Sequence, residues 1–407
     1  MRFSQFYTKT KRSAAKQDSI NAYLLDKAGY VSQVAAGVYA LLPLGLRVVQ
    51  KIEQVVREEM NAIGASELSL TALQPKSTWE KSGRWDNPDF RQILYFDADA
   101  GMTLAPTHEE PLTMLIKESV QSYRDLPILL YQFQTKFRKE LRAKSGLLRG
   151  REFRMKDLYS FHPDEKSHIE FYEAVADAYL KIFGRLDLEA YRTKASGGMF
   201  TDQFSDEFQV ICPTGEDEIF VNHETKTGFN QEVQDQIPVK EKDKLDRVKS
   251  IEVGNIFHFG TKYSEAYDLG FLSKEGKRTL AVTGAYGIGI SRLLGTLAEV
   301  NNDEHGLKLP PAVAPYSVYL IDLTKDNVAE TIYHQLTEAG LEVLWDDRDL
   351  STGDKLIDSD LIGCPIRVII SPKTVANDQV ELKIRATGEV KLLNQKELVS
   401  TIRQIIS

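Results

Sequence analysis

Four residues between positions 137 and 153 stand in an order that could hold a nucleotide. The string FRKE (137–140) puts Arg138 and Glu140 two apart, and RGREF (149–153) puts Arg149 and Phe153 four apart. On strands, each pair shares a face. If the strings are the facing ends of an antiparallel pair, two guanidiniums can grip phosphates. The carboxylate can accept from an amino-bearing base edge, and the ring can lie against a flat base. Such a nucleotide site is built on a sheet and has no glycine loop. The plainer alternative is a solvated, charge-laced hairpin, since charge runs are usually wet faces.

The flanking segments must supply the geometry. LLYQFQTKF (129–137) and REFRMKDLYSF (151–161) alternate apolar and aromatic residues against charges, as strands do, and AKSG (143–146) supplies a loop between them. Nine Lys or Arg lie from Lys136 to Lys156, in a chain of formal net charge −8. An acidic chain this basic in one place concentrates positive charge for something anionic.

Length and composition set the frame. At 407 residues two or three domains are expected, and 42% apolar with 27% charged residues is ordinary for a water-soluble globular protein. No run of 18 apolar residues appears, so no membrane span is expected. The start, MRFSQFYTKTKR, is followed by no apolar core, so no signal peptide is expected. Cys212 and Cys364 lie far apart, and the seven histidines form no i, i+4 pair. A reducing compartment, by default the cytoplasm, is therefore expected, with no disulfide framework or zinc cluster.

Along the chain, residues 17–30 and 32–39 read as short helices, and 45–63 as a long amphipathic one ended by Gly64. SELSLTALQP (66–75) reads as a strand stopping at a proline, and THEE (107–110) as the N-terminal cap of a helix over 112–120. Residues 167–185 form another helix, with Phe171, Val175, Ala178, Tyr179 and Ile182 inward. Strands are expected at 207–211, 219–221 and 252–260. TGAYGIGISR (283–292) is a glycine-packed strand leading into a helix, where backbone can approach a flat ligand closely. The proline cluster LPPAVAP (309–315) marks a boundary. Beyond it strands and helices alternate, which predicts a small α/β domain with a largely parallel sheet.

FRKE, the loop, RGREF and MKDLYSFH (155–162) together resemble motif 2 of the class II aminoacyl-tRNA synthetases, most of all the prolyl members of bacterial type. The 45–75 helix-strand-proline unit resembles motif 1, the family's dimer interface. TGAYGIGISR resembles motif 3, and DDR (346–348) with DLIGCP (360–365) resembles the anticodon-binding domain of the class IIa enzymes. The resemblance implies an α+β catalytic domain on an antiparallel sheet over 1–308 and an α/β anticodon-binding domain over 309–407. It implies ATP and Mg²⁺, L-proline, the tRNA for proline, and a homodimer. Arg138 would bridge the carboxylate and the α-phosphate. Phe153 would stack on adenine, with Glu140 on its amino group and Arg149 and Arg292 on the outer phosphates beside Gly287 and Gly289. Thr107 and Glu109 would hold the amino acid's amine. Met155, Asp157 and Tyr159 would line the side-chain pocket, and Glu207 would serve Mg²⁺. Arg142 and Lys144 would lie near the tRNA acceptor end.

Four departures from the family pattern stand out. SDEF (205–208) replaces SHEF, GNIF (254–257) replaces GHIF, and Ala285 stands where a cysteine is common. The interval from His162 to Ser196 has room for one helix and none for an editing domain, so no cis-editing is expected. A catalytically silent relative that binds only RNA or a partner is the competing reading, and an enzyme that hands the amino acid to another acceptor is a third. The presence of Arg138, Glu140, Arg149, Phe153 and Arg292 together favours an active enzyme, and the C-terminal domain favours tRNA as acceptor.

Overall fold

The structure is a computed structural model that describes every residue except 8, 14–16, 18, 199–200, 202–203, 325–326 and 407. Two compact units divide the chain, and they are drawn differently from the 1–308 and 309–407 spans. One takes in Met1–Val34, Tyr39–Ile52 and Leu297–Ser407, the other Ala35–Val38 and Glu53–Thr296. The N-terminal arm joins the C-terminal segment through specific bonds. The Met1 ammonium donates to Tyr333 Oη at 2.6 Å and to the Val343 carbonyl at 2.9 Å, and Asn21 Nδ2 donates to Glu299 Oε1 at 2.7 Å.

In the second of these units nine strands form one sheet. Their spatial order is Phe204–Ile211, Ala190–Ser196, Thr227–Asn230, Asp217–Asn222, Asp246–Gly260, Val282–Gly289, Glu152–His162, Ile128–Phe137 and Ser66–Glu67. Six of the eight neighbouring pairs are antiparallel; Thr227–Asn230 runs parallel to Ala190–Ser196, and Ser66–Glu67 parallel to Ile128–Phe137. The expected catalytic fold on an antiparallel sheet is therefore present. The helix Glu165–Arg185 covers one face of this sheet. Asp164 caps it by accepting from Ser167 N at 2.8 Å, and Phe171, Val175, Ala178, Tyr179 and Ile182 are buried.

The other unit holds a five-stranded sheet in the order Val343–Asp346, Val318–Asp322, Ile366–Ile370, Gln379–Ile384, Val390–Asn394. Its first two pairings are parallel and its last two antiparallel. The sheet is mixed rather than largely parallel because 379–394 folds back as a hairpin. Its apolar core joins Val318, Leu320, Val343, Ile366 and Val368 to Ile332 and Leu336 of the helix Val328–Glu338. Residues 32–39 are also corrected. They lie in the strands Val31–Ala35 and Val38–Leu41, where β-branched residues favour extended backbone, and Gly37 takes φ +72° between them. Among the described residues, no helix is long and apolar enough to cross a membrane.

Under the sheet, His168 lies 5.3 Å from the His162 ring and 4.6 Å from the His258 ring, and neither of its ring nitrogens has a hydrogen-bond partner among the described residues. Burial pushes the His162 pKa down to about 4. Burial, then the neighbouring His258 and His162, push that of His168 down to about 3. Both lie below the unfolded value of about 6.5, so their contribution is intact above that pH and is lost as pH falls, because the unfolded chain takes up protons the fold refuses. The urea midpoint should therefore fall from pH 6.5 toward pH 4. His168→Asn should reduce that slope by up to one proton, about 1.4 kcal/mol per pH unit.

Candidate functional site

The site stands on the sheet face opposite the Glu165–Arg185 helix, and register decides which residues reach it. Across three neighbouring strands Asp157, Gly287 and Asn255 form one row, and Tyr159, Ala285 and Phe257 the next, while Met155 pairs with Gly289. Because side chains alternate, these odd-numbered residues share one face and Lys156, Tyr286 and Ile256 share the other. At 287 a Cβ would lie 2.8 Å from Asn255 Oδ1 and 3.3 Å from Met155 Cε, so a larger residue there would displace those two side chains.

Two adjoining cavities open on this floor. The larger, about 550 Å³, is walled by Arg138, Glu140, Arg149, Phe153, Gly287, Gly289 and Arg292, with Glu252 and Asn255. Arg138 follows the end of the Ile128–Phe137 strand; its guanidinium lies 5.3 Å from the Phe153 ring centre, and its Nε donates to the Pro106 carbonyl at 3.3 Å. Arg292 sits in the first turn of the helix Ile290–Val300. It donates to Glu252 Oε2 and to the Glu252 carbonyl, both at 2.8 Å, and to the Leu148 carbonyl at 2.9 Å. Arg149 donates to Glu140 Oε2 at 2.9 Å. Burial and then the Arg292 charge push the Arg138 pKa below its usual value. Two guanidiniums that repel one another on the wall of one cavity suit a polyanion.

The smaller cavity, about 380 Å³, is walled by Thr107, Glu109, Asp157, Tyr159, Ala285 and Phe257, and shares Arg138, Met155, Asn255 and Gly287 with the larger one. Thr107 does not cap the helix Glu109–Lys117. Its hydroxyl instead donates to Glu109 Oε2 at 2.6 Å, and His108 stands at the helix start. Asp157 is 4% exposed and its Oδ2 accepts from Lys136 Nζ at 2.7 Å, Tyr159 Oη at 2.8 Å and Gln132 Nε2 at 3.0 Å. Lys136 also donates to His108 Nδ1 at 2.6 Å, which leaves His108 Nε2 to donate to the Thr71 carbonyl at 3.0 Å. Burial and then the Lys136 charge hold the His108 pKa down to about 4, so the ring is neutral at physiological pH.

All four residues of the nucleotide pattern, and Arg292, line the larger cavity. The strand-face argument for them is corrected, because the strands end at Phe137 and begin at Glu152, leaving Arg138, Glu140 and Arg149 in the connecting loop. Of the nine cations only Arg138 and Arg149 line the larger cavity, and two of the others are buried away from it. Lys136 is bound to Asp157, and Lys156 is buried under the sheet with Tyr179 Oη at 2.5 Å. Arg142 and Lys144 are exposed on the loop, Lys144 3.4 Å from Glu216. Glu207 is not on the wall of either cavity. It accepts from Gln209 and Asn230, and Glu252, which sequence reasoning passed over, stands at the wall instead. Asp206 is bound to Arg192 at 2.5 Å and Lys194 at 3.0 Å, away from both cavities, so that departure leaves the site untouched, whereas Asn255 and Ala285 are in it.

Residues 95–301 match the tRNA synthetase class II core domain (G, H, P, S and T), and residues 317–405 match the anticodon binding domain. A proline–tRNA ligase of Rhizorhabdus wittichii is 39% identical over 435 aligned positions, covering 99% of this chain and all of that protein. One from Zymomonas mobilis is 40% identical, with 97% of each chain covered. Among solved structures, a Giardia lamblia prolyl-tRNA synthetase in complex with prolyl-adenylate shares the fold, with a TM-score of 0.78 at 21% identity over 94% of this chain and 77% of that one.

Removing Lys136 leaves Asp157 buried without its cation. Lys136→Met should therefore cost about 3–5 kcal/mol in urea unfolding, as breaking one side of a buried pair does.

Proposed function

The chain belongs to the proline–tRNA ligase family of class II aminoacyl-tRNA synthetases, and from that membership we propose that it activates L-proline with ATP to prolyl-adenylate and passes the prolyl group to the tRNA for proline. One observation carries the assignment of residues: Arg138 lies on the wall of both cavities, between a cationic chamber and a small pocket with an acidic wall.

The reaction brings two anions together. The proline carboxylate attacks the α-phosphorus of ATP, a new C–O–P link forms, and pyrophosphate leaves. Neither reactant needs a proton moved, so positive charge and alignment do the work. Arg138 attracts the carboxylate and the α-phosphate toward one point. Phe153 takes the adenine ring, Glu140 accepts from its amino group, and Arg149 and Arg292 hold the outer phosphates. Thr107 and Glu109 hold the substrate amine, and Met155, Asp157 and Tyr159 bound the ring. Functionally, residues 1–308 carry catalysis and 309–407 the anticodon contact, with Arg142 and Lys144 near the acceptor end. The enzyme works in the cytoplasm as a homodimer, a reading that rests on the family.

Magnesium is implied by the family, and the residues fit it. Burial and then the Glu252 charge raise the Glu207 and Asp217 pKa values, so this acidic group would accept a further cation even with Arg292 paired to Glu252 at 2.8 Å. No described group of three or more His, Cys, Asp or Glu could hold a metal alone, and Mg²⁺ characteristically takes phosphate oxygens with one or two carboxylates. Glu252 is the carboxylate that would hold it at the wall, with Glu207 behind. When bound it offsets phosphate charge.

Proline should drive ATP–pyrophosphate exchange well above threonine, serine, glycine or alanine, and Arg138→Ala should reduce kcat by about 10²–10³, comparable to losing one oxyanion donor. Exchange with none of the five amino acids would refute the assignment. The interval from His162 to Ser196 holds the helix Glu165–Arg185 and the strand Ala190–Ser196 and is too short for an editing domain, so the pure protein should leave alanyl-tRNA for proline intact, and its rapid deacylation would count against the reading.

A further inference from the structure

We propose that Arg84 is a positioning residue for the amino-acid pocket, fixing the Glu109 carboxylate so that it meets the substrate amine. The proposal rests on Thr107 and Glu109 being the amine site. Arg84 opens the 3-10 helix Arg84–Asp86, is 6% exposed, and reaches the site from outside both cavities. Its guanidinium lies 4.8 Å from the Phe90 ring centre and 5.4 Å from that of Tyr263, between two aromatic faces that fix its plane. Its Nη1 is 3.2 Å from Glu109 Oε2, the oxygen that also accepts from Thr107. The same Nη1 is 3.3 Å from each Glu110 oxygen, and Ser82 Oγ donates to Glu110 at 2.9 Å.

One guanidinium thus serves two buried carboxylates, of which only Glu109 lines the pocket. Burial pushes the Glu110 carboxyl up to about 7, against the pull of Arg84 and with the push of Glu109. With Oε2 held by Thr107 and Arg84, the remaining lone pairs of the Glu109 carboxylate are aimed rather than free to rotate. A secondary ammonium entering the pocket adds the second positive charge that Glu109 and Glu110 together call for. Arg84 touches no substrate and acts through Glu109 alone.

The test is proline-dependent ATP–pyrophosphate exchange, with KM for proline and KM for ATP measured separately. Arg84→Gln should raise KM for proline about tenfold or more, as the loss of a charge-assisted hydrogen bond would, with KM for ATP within about twofold. Arg84→Lys keeps the charge without the fork and should give a smaller, severalfold rise. If Arg84→Gln does not fold, Arg84→Lys decides alone: a rise confined to proline supports the proposal, and unchanged constants overturn it. A parallel rise in both constants, or a lowered melting temperature with unchanged KM for proline, also overturns it. Glu109→Gln separates the two readings. If it leaves KM for proline unchanged, the amine site itself is wrong; if it raises KM for proline while Arg84→Gln does not, only the Arg84 proposal falls.

Discussion

The ion pair between Lys136 and Asp157 is buried inside the antiparallel ladder that joins Ile128–Phe137 to Glu152–His162. Desolvating both ions is expensive, and such a pair rarely adds net stability. Here the cost is offset by Gln132 and Tyr159, which also donate to Asp157, and by His108, which accepts from Lys136. What the pair supplies is register. A slip of one residue would turn Met155, Asp157 and Tyr159 to the opposite face and leave both charges unpaired. Because the neighbouring strand Val282–Gly289 is paired rung by rung to Glu152–His162, its glycines would then face the wrong residues.

Charge in the 136–156 segment is accordingly sorted by depth. Lys136 and Lys156 are buried and structural, and Arg154 is paired with Glu53. Arg151 donates to the Glu140 carbonyl at 2.9 Å and so holds the loop that carries Glu140. Only Arg138 and Arg149 reach the larger cavity from this segment, joined by Arg292 from the glycine-strand helix. Lys139, Arg142 and Lys144 are exposed. A run that looks uniformly cationic thus divides into a ladder clamp, a pair of cavity-wall arginines and a solvated tip.

The parts that follow from periodicity and from ordered short strings were legible in the sequence. The two motif strands, the Glu165–Arg185 helix with its inner face, and the convergence of Arg138, Glu140, Arg149, Phe153 and Arg292 all belong here. What escaped was set by contacts distant in sequence. Arg84 sits in a single 3-10 turn too short to show a period, 25 residues from the Glu109 it holds. Glu252 and Glu207 both lie on strands, and only the pairing of three strands decides which meets Arg292. Residues 32–39 were read as helix because eight residues with alanine and glycine carry little signal, and β-branched valines prevailed. The hairpin at 379–394 altered the C-terminal sheet because strand direction is not encoded in apolar spacing.

The proposed activity requires the two cavities to be one reaction chamber with Arg138 at its junction. Isothermal titration with a non-hydrolysable prolyl-adenylate analogue tests this most directly. A single analogue per chain should abolish the binding of both L-proline and ATP. Displacement of only one of them, or a second equivalent needed to displace both, would contradict the account.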